Sequence, residues 1–145
     1  MTIVLEGIYS DGHRTVSRIW ADLSAGHVQE FPPIQQCYPG TFNVQTVQEY
    51  LPPEDERFRA AACALGREDG NHISPCARVI GINERPITCW FYRGGHAGEN
   101  ILELLSEWPL ASLLGVRPGD SIVLEVEEVA EGTEGMPLPP RSAGQ

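Results

Sequence analysis

Cys37-Tyr38-Pro39-Gly40-Thr41-Phe42-Asn43-Val44 is the stretch on which the fold turns. Pro39 fixes its own φ and Gly40 accepts a positive one, so the pair predicts a tight turn. The residues after it predict a strand. Side chains alternate along a strand, which puts Phe42 and Val44 on one face and Thr41 and Asn43 on the other. The apolar pair can enter a core. The polar pair then stands at the mouth of the turn and offers a hydroxyl and an amide oxygen side by side. Two neutral, hard oxygen donors suit Mg²⁺, which keeps several waters and takes substrate phosphates as further ligands. The same spacing also describes an ordinary turn entering a half-buried strand.

Working outward, the preceding chain predicts a strand at Ile3–Tyr9, a turn at Ser10-Asp11-Gly12-His13 and a second strand at Arg14–Leu23, the two strands forming a hairpin. Residues 24–36 read as loop, with Phe31 and Ile34 as candidate anchors. Beyond the signature, Glu54–Leu65 has helix signals at both ends: Pro52-Pro53 and three acidic residues before and in its first turn, Gly66 after its last. Its Phe58, Ala61, Ala62 and Leu65 share one face, as a helix packed across a barrel requires. Arg67–Ser74 is a polar loop by composition. Strands are then expected at Cys76–Ile82, Ile87–Tyr92, Asn100–Ser106 and Ser121–Val129. A short helix is expected from Trp108 to the cap Gly115, with Leu110, Leu113 and Leu114 inward. Short, closely spaced strands favour a closed barrel, because closure removes exposed edges. The expected architecture is mainly β: one domain over residues 1–130, and a Pro/Gly-rich tail over 131–145 that has little to bury and reads as disordered.

Charge and composition narrow the function. The formal charge is −10 and Lys is absent, so any phosphate must be held by Arg, backbone N–H groups or a metal. A nucleic-acid-gripping domain carries a basic face, which argues against that partner, including the DNA-binding role of some similar small barrels. No apolar run approaches the ~18 residues of a membrane span. The start, Met1-Thr2-Ile3-Val4, has no signal-peptide core, and a cytoplasmic location is expected. Cys37, Cys63, Cys76 and Cys89 form no Cys-x-x-Cys pair and are expected as free, apolar fillers.

Pro39-Gly40-Thr41-Phe42-Asn43-Val44 resembles the Pro-Gly-Thr-Leu-Asn-Val signature of the archaeal-type, CTP-dependent riboflavin kinases. Ile101-Leu102-Glu103-Leu104-Leu105-Ser106 is similar to that family's Glu-Ile-Ile-Ala strand. Leu110–Asp120 is similar to its Leu-Arg-x-x-Leu-Gly-Leu-x-x-Gly-Asp segment. The resemblance implies a six-stranded Greek-key, cradle-loop barrel with one packing helix and one short later helix. It also implies phosphoryl transfer from a nucleoside triphosphate, CTP in the family, to a flavin hydroxyl with Mg²⁺. Carried over residue by residue, Thr41 and Asn43 would hold the metal and Glu103 would lie at the acceptor. Gly7, Asp11 and Gly12 would fall in the nucleotide loop, and Trp108, Pro109, Leu110 and Ala111 would line the nucleotide. Taken alone, Glu103 is a solvated strand carboxylate and the glycines belong to a hairpin turn and a bulge. This chain departs from the pattern twice. Its first loop is short and lacks alternating glycines, and Ala111 replaces an Arg, for which Arg14 or Arg93 would have to compensate. Both departures strike nucleotide contacts, so the second expectation is a barrel that binds a flavin or another small ligand without kinase activity.

Overall fold

The computed structural model describes residues 2–10, 32–53, 72–93 and 100–128, together with 56, 60, 63 and 64. Six strands make the framework: β1 (Thr2–Ser10), β2 (Phe42–Thr46), β3 (His72–Ile82), β4 (Arg85–Arg93), β5 (Ile101–Leu105) and β6 (Ser121–Glu128). They close into a barrel in the order β1-β2-β5-β4-β3-β6, and every pairing is antiparallel. Closure explains why strands this short hold together: every strand is paired on both flanks.

Alternation sorts the side chains. Leu5, Phe42, Val44, Val79, Phe91, Leu104, Ile122 and Leu124 fill the interior. The positions between them on β2 and β5, Asn43 and Glu103, point outward. The short helix α1 (Leu110–Leu114) ends at Gly115 in the left-handed region, φ 67°; the Gly115 N–H donates to the Ser112 carbonyl at 3.3 Å and the Val116 N–H to that of Ala111 at 3.1 Å. Leu110 drops into the core, but Leu113 is exposed rather than inward as expected. A helix of this length has room to bury only one side of a single turn.

A second apolar cluster lies outside the barrel wall. The 3₁₀ turn Pro32–Gln36 sets Ile34 down on Ile73, Tyr92 and Leu105, with Cys37 beside it. Leu105 and Ile34 are fully buried there. Ile34 is thus the anchor its sequence position suggests. Residues His72–Ser74, expected in a polar loop, instead begin β3, because Ile73 faces Tyr92 in register and joins this cluster.

The expected hairpin between β1 and the next stretch of chain is not how β1 is paired. Its end is flanked by β2 on one side and, on the other, by β6 and the turn before it, with Tyr9 N–H donating to the Asp120 carbonyl at 2.9 Å. Residues 11–31 themselves lie outside the described residues, as do most of Glu54–Leu65, the Gly94–Gly98 loop and the tail from 129. Of the expected helix, Glu56, Ala60, Cys63 and Ala64 are described. All four are helical and exposed, and their spacing makes them one outer face. All four cysteines are free. Cys37, Cys76 and Cys89 are buried as expected, and Cys63 is not.

Candidate functional site

The signature turn forms as Pro and Gly dictate, with Gly40 at φ 105°. Two ties fix its approach. Cys37 N–H donates to the Ile34 carbonyl at 3.1 Å, and Tyr38 N–H donates to the Ser106 carbonyl at 2.7 Å. The turn is therefore held against the outer face of β5 before β2 begins. Inside the wall Phe42 stacks on Tyr9, centroids 4.6 Å apart and rings 10° from parallel. That inward anchor forces Thr41 and Asn43 outward.

Those two side chains meet. The Thr41 hydroxyl donates to the Asn43 amide oxygen at 2.8 Å, and both residues are half-buried. Asn43 stands directly opposite Glu103 across the β2–β5 ladder, and Glu103 stands opposite Tyr92 across β5–β4. Side chains paired in this way lie roughly 4.5–5.5 Å apart at Cβ. Ser10 is opposite Asn43 on the other side. The outer wall therefore carries a polar row, Ser10-Asn43-Glu103, closed at one end by buried Tyr92. Glu103 is itself half-buried, and its Oε2 is fully enclosed.

The oxygen pair can be tested against Mg²⁺. Octahedral ligands at 2.0–2.1 Å sit roughly 2.9 Å from their cis neighbours. Thr41 Oγ1 and Asn43 Oδ1 are 2.8 Å apart, so the pair fits one edge of such a shell. No three His, Cys, Asp or Glu converge on a possible metal site among the described residues.

The other expected site residues divide. Gly7 is not in a loop. It lies within β1, opposite Thr46 on one side and Ile122 on the other. A Cβ there would lie 2.2 Å from the Gln45 carbonyl oxygen, so glycine is required by close backbone approach. Asp11 and Gly12 lie outside the described residues. Leu110 is buried in the core and Ala111 packs half-buried against it; Leu110 has no surface left to line a ligand. Pro109 caps α1 without a side-chain bond.

Trp108 is different: it is 55% exposed. Its backbone N–H donates to Ser106 Oγ at 3.1 Å, and the residue borders an open groove of about 620 Å³. Ile87, Thr88 and Trp90 of β4 line that groove together with Arg85, Glu107 and Leu113. Ile34, Cys37, Tyr92 and Leu105 pack as a ridge on the same face of the wall, with Trp90 partly buried against them.

Sequence reasoning did not single out Tyr92, Ser10 or Ser106. Tyr92 was findable, since alternation sets Trp90 and Tyr92 opposite to Cys89 and Phe91. Ser10 and Ser106 depend on strand pairings far apart in the chain and leave no local signal. Burial raises the Cys37 thiol to about 11, helped by the Glu107 charge, and raises Cys89 to about 12. Both are inert thiols at neutral pH. No helix among the described residues is long and apolar enough to cross a membrane. No protein-family model matches the chain, and no curated protein does.

Proposed function

We propose that this chain is a Mg²⁺-dependent phosphotransferase of the riboflavin kinase type, moving a phosphoryl group from a nucleoside triphosphate to a flavin hydroxyl. One observation carries the reading: the Thr41 hydroxyl and the Asn43 amide oxygen touch, and Asn43 faces Glu103 on the same outer row. Thr41 Oγ1 and Asn43 Oδ1 would hold Mg²⁺, which when bound neutralises charge on the donor phosphates. Glu103 orients the acceptor hydroxyl and takes its proton as the acceptor oxygen bonds to the γ-phosphorus and the bond to the leaving nucleoside diphosphate breaks. The half-buried setting of Glu103 holds that carboxylate in one place beside the acceptor, and Tyr92 walls off the far end of the row. Phosphoryl transfer asks the protein mostly for positioning, and a row of side chains on paired strands supplies it. The location that goes with this reading is the cytoplasm, and the partners are small molecules.

The test is incubation with riboflavin, CTP and Mg²⁺ and separation of FMN by chromatography. E103Q should lower turnover at least tenfold while flavin binding persists. No FMN with any nucleoside triphosphate removes the reading.

A second reading is a barrel that binds a flavin without turnover. It is favoured by Leu110, which is buried in the core, and by Ala111, which stands where the family carries Arg. Calorimetry separates the two: flavin binding without any CTP binding supports the second.

A further inference from the structure

The groove beside Trp108 lies apart from the Thr41–Asn43–Glu103 row; Trp108 is the one exposed residue of the segment that the resemblance would set against a nucleotide. Its floor is the outer face of β4 at Thr88 and Trp90, and its walls are Trp108 and Leu113. The two charges at its rim differ in availability. Arg85 donates from Nη1 to the Leu113 carbonyl at 2.7 Å, which fixes it against α1. Glu107 is exposed. The groove thus carries two tryptophans, an exposed carboxylate at Glu107 and a guanidinium at Arg85 held on the Leu113 carbonyl. Its tryptophans and the Glu107 carboxylate suit an apolar ligand that ends in a cation.

The sequence contains such a ligand. Pro137-Leu138-Pro139-Pro140-Arg141 is a Pro-x-x-Pro segment followed at once by Arg. A Pro-x-x-Pro segment bound as polyproline II, with three residues per turn and about 3.1 Å rise, sets its two prolines on one face roughly 9 Å apart. Proline-rich segments are recognised by aromatic-lined grooves, because the preformed helix gives up little entropy on docking. The exposed Glu107 carboxylate in the lining can pair with the Arg of such a segment.

The chain can reach. β6 ends at Glu128, opposite Ala77 of β3, and the next residue of β3, Arg78, faces Trp90 of β4. The end of β6 is therefore two strands from the groove floor, about 10 Å. The eight residues from 129 to 136 span up to roughly 26 Å. No rearrangement of the barrel is needed.

We propose that the Trp90–Trp108 groove is a docking site for a proline-rich segment ending in arginine, and that its occupant is Pro137–Arg141 of the same chain, with Arg141 on Glu107. The proposal does not rest on the Thr41–Asn43–Glu103 row that carries the phosphotransfer reading.

The experiment uses the full chain with W20F, so that Trp90 and Trp108 alone report. Acrylamide quenching of tryptophan emission is compared for this chain and for its P137A/P140A and R141E forms. The double substitution should raise the quenching constant about twofold and R141E by less. A synthetic peptide of residues 134–143 should restore protection to the P137A/P140A form. It should fail to bind, by anisotropy of a labelled peptide, when W108A is added. Circular dichroism melting keeps W108A interpretable, since an exposed Trp carries little of the core. Equal quenching of parent and double variant overturns the proposal. So does protection that disappears on dilution, which would assign the groove to a second copy.

Discussion

The inside of the barrel and its outer wall at β5 are built by the same five residues, yet they do different work. Leu102 and Leu104 point inward into a closed apolar core, while Glu103 and Leu105 point outward. The inward pair is held from all sides by strands that hydrogen-bond into a ring. The outward pair has no second wall over it. Leu105 is covered by Ile34 and Cys37, and Glu103 sits in the polar row beside that cover. The difference teaches that the barrel is the scaffold, whereas the candidate site depends on one short segment, residues 32–40, lying across the wall. Damage to the inside should unfold the protein. Damage to the cover should loosen the turn and leave the barrel standing.

The largest effect is therefore expected inside. Leu104 is buried against Phe91 and Phe42 of neighbouring strands. Leu104→Ala should cost about 3–5 kcal/mol through lost burial and a residual cavity. Urea melting followed by far-ultraviolet circular dichroism measures it, and a loss below about 1 kcal/mol would mean that the interior is not packed as described.

Next comes the cover. Ile34 is fully buried, but only by the outer cluster. Ile34→Ala should cost about 2–4 kcal/mol if the segment and barrel unfold together. If the comparison holds, the loss is local: hydrogen exchange at the Cys37 and Tyr38 amides, which donate to Ile34 and Ser106, should speed more than tenfold while amides of β6 barely change. Equal acceleration everywhere would erase the distinction between scaffold and cover.

How legible this was depends on distance along the chain. Pro39-Gly40 specified its turn and the alternation Phe42/Val44 against Thr41/Asn43 specified its strand, because both effects act over a few residues. Barrel closure was readable from strand spacing. The partner of β1 was not. Among the described strands β1 pairs with the next, β2, but its other edge is taken by β6, which lies more than a hundred residues on. Gly7 falls inside the strand read at Ile3–Tyr9, and only the resemblance put it in a loop; the Gln45 carbonyl against it, another register fact, is what requires glycine there. His72–Ser74 looked polar, and only Ile73 meeting Tyr92 makes it a strand. In the site, Thr41 and Asn43 were legible as a pair, and Glu103 entered through resemblance. Their facing one another is a register fact that the sequence does not state.

Thiols sharpen the comparison from both sides of the wall. Cys89 lies inside and Cys37 under the cover, and burial raises them to about 12 and about 11. Each binds its proton more tightly folded than unfolded. Their contribution to stability is thus complete below the ordinary thiol range near 9 and is lost as pH rises toward 11–12. The melting temperature should fall over that window, and by less in C37A/C89A than in the parent. At pH 8 in native buffer, a chromogenic disulfide should titrate exposed Cys63 rapidly. Cys37 should follow only at the opening rate of the cover, ahead of Cys89. Simultaneous reaction of both would mean that the cover opens only with the barrel.

The smallest effect on stability is expected at the site itself. Asn43 is half-buried and points away from the core, and its described bond is the one that it accepts from Thr41 at 2.8 Å. Asn43→Ala removes that acceptor, but the freed hydroxyl is near enough to solvent to bond water, so the cost should stay within about 1 kcal/mol. Binding should respond in the opposite proportion. With one of two protein oxygens gone, calorimetric Mg²⁺ affinity in the presence of nucleotide should fall at least tenfold. Asn43→Asp distinguishes a ligand from a spacer. It keeps the shape and adds a charge that strengthens Mg²⁺ binding, while setting a carboxylate beside Glu103, where like charges oppose. A ligand role therefore predicts that Asn43→Asp binds Mg²⁺ at least as well as the parent and melts lower without it, the deficit closing as Mg²⁺ is added. A purely structural asparagine predicts the lower melting point with no recovery.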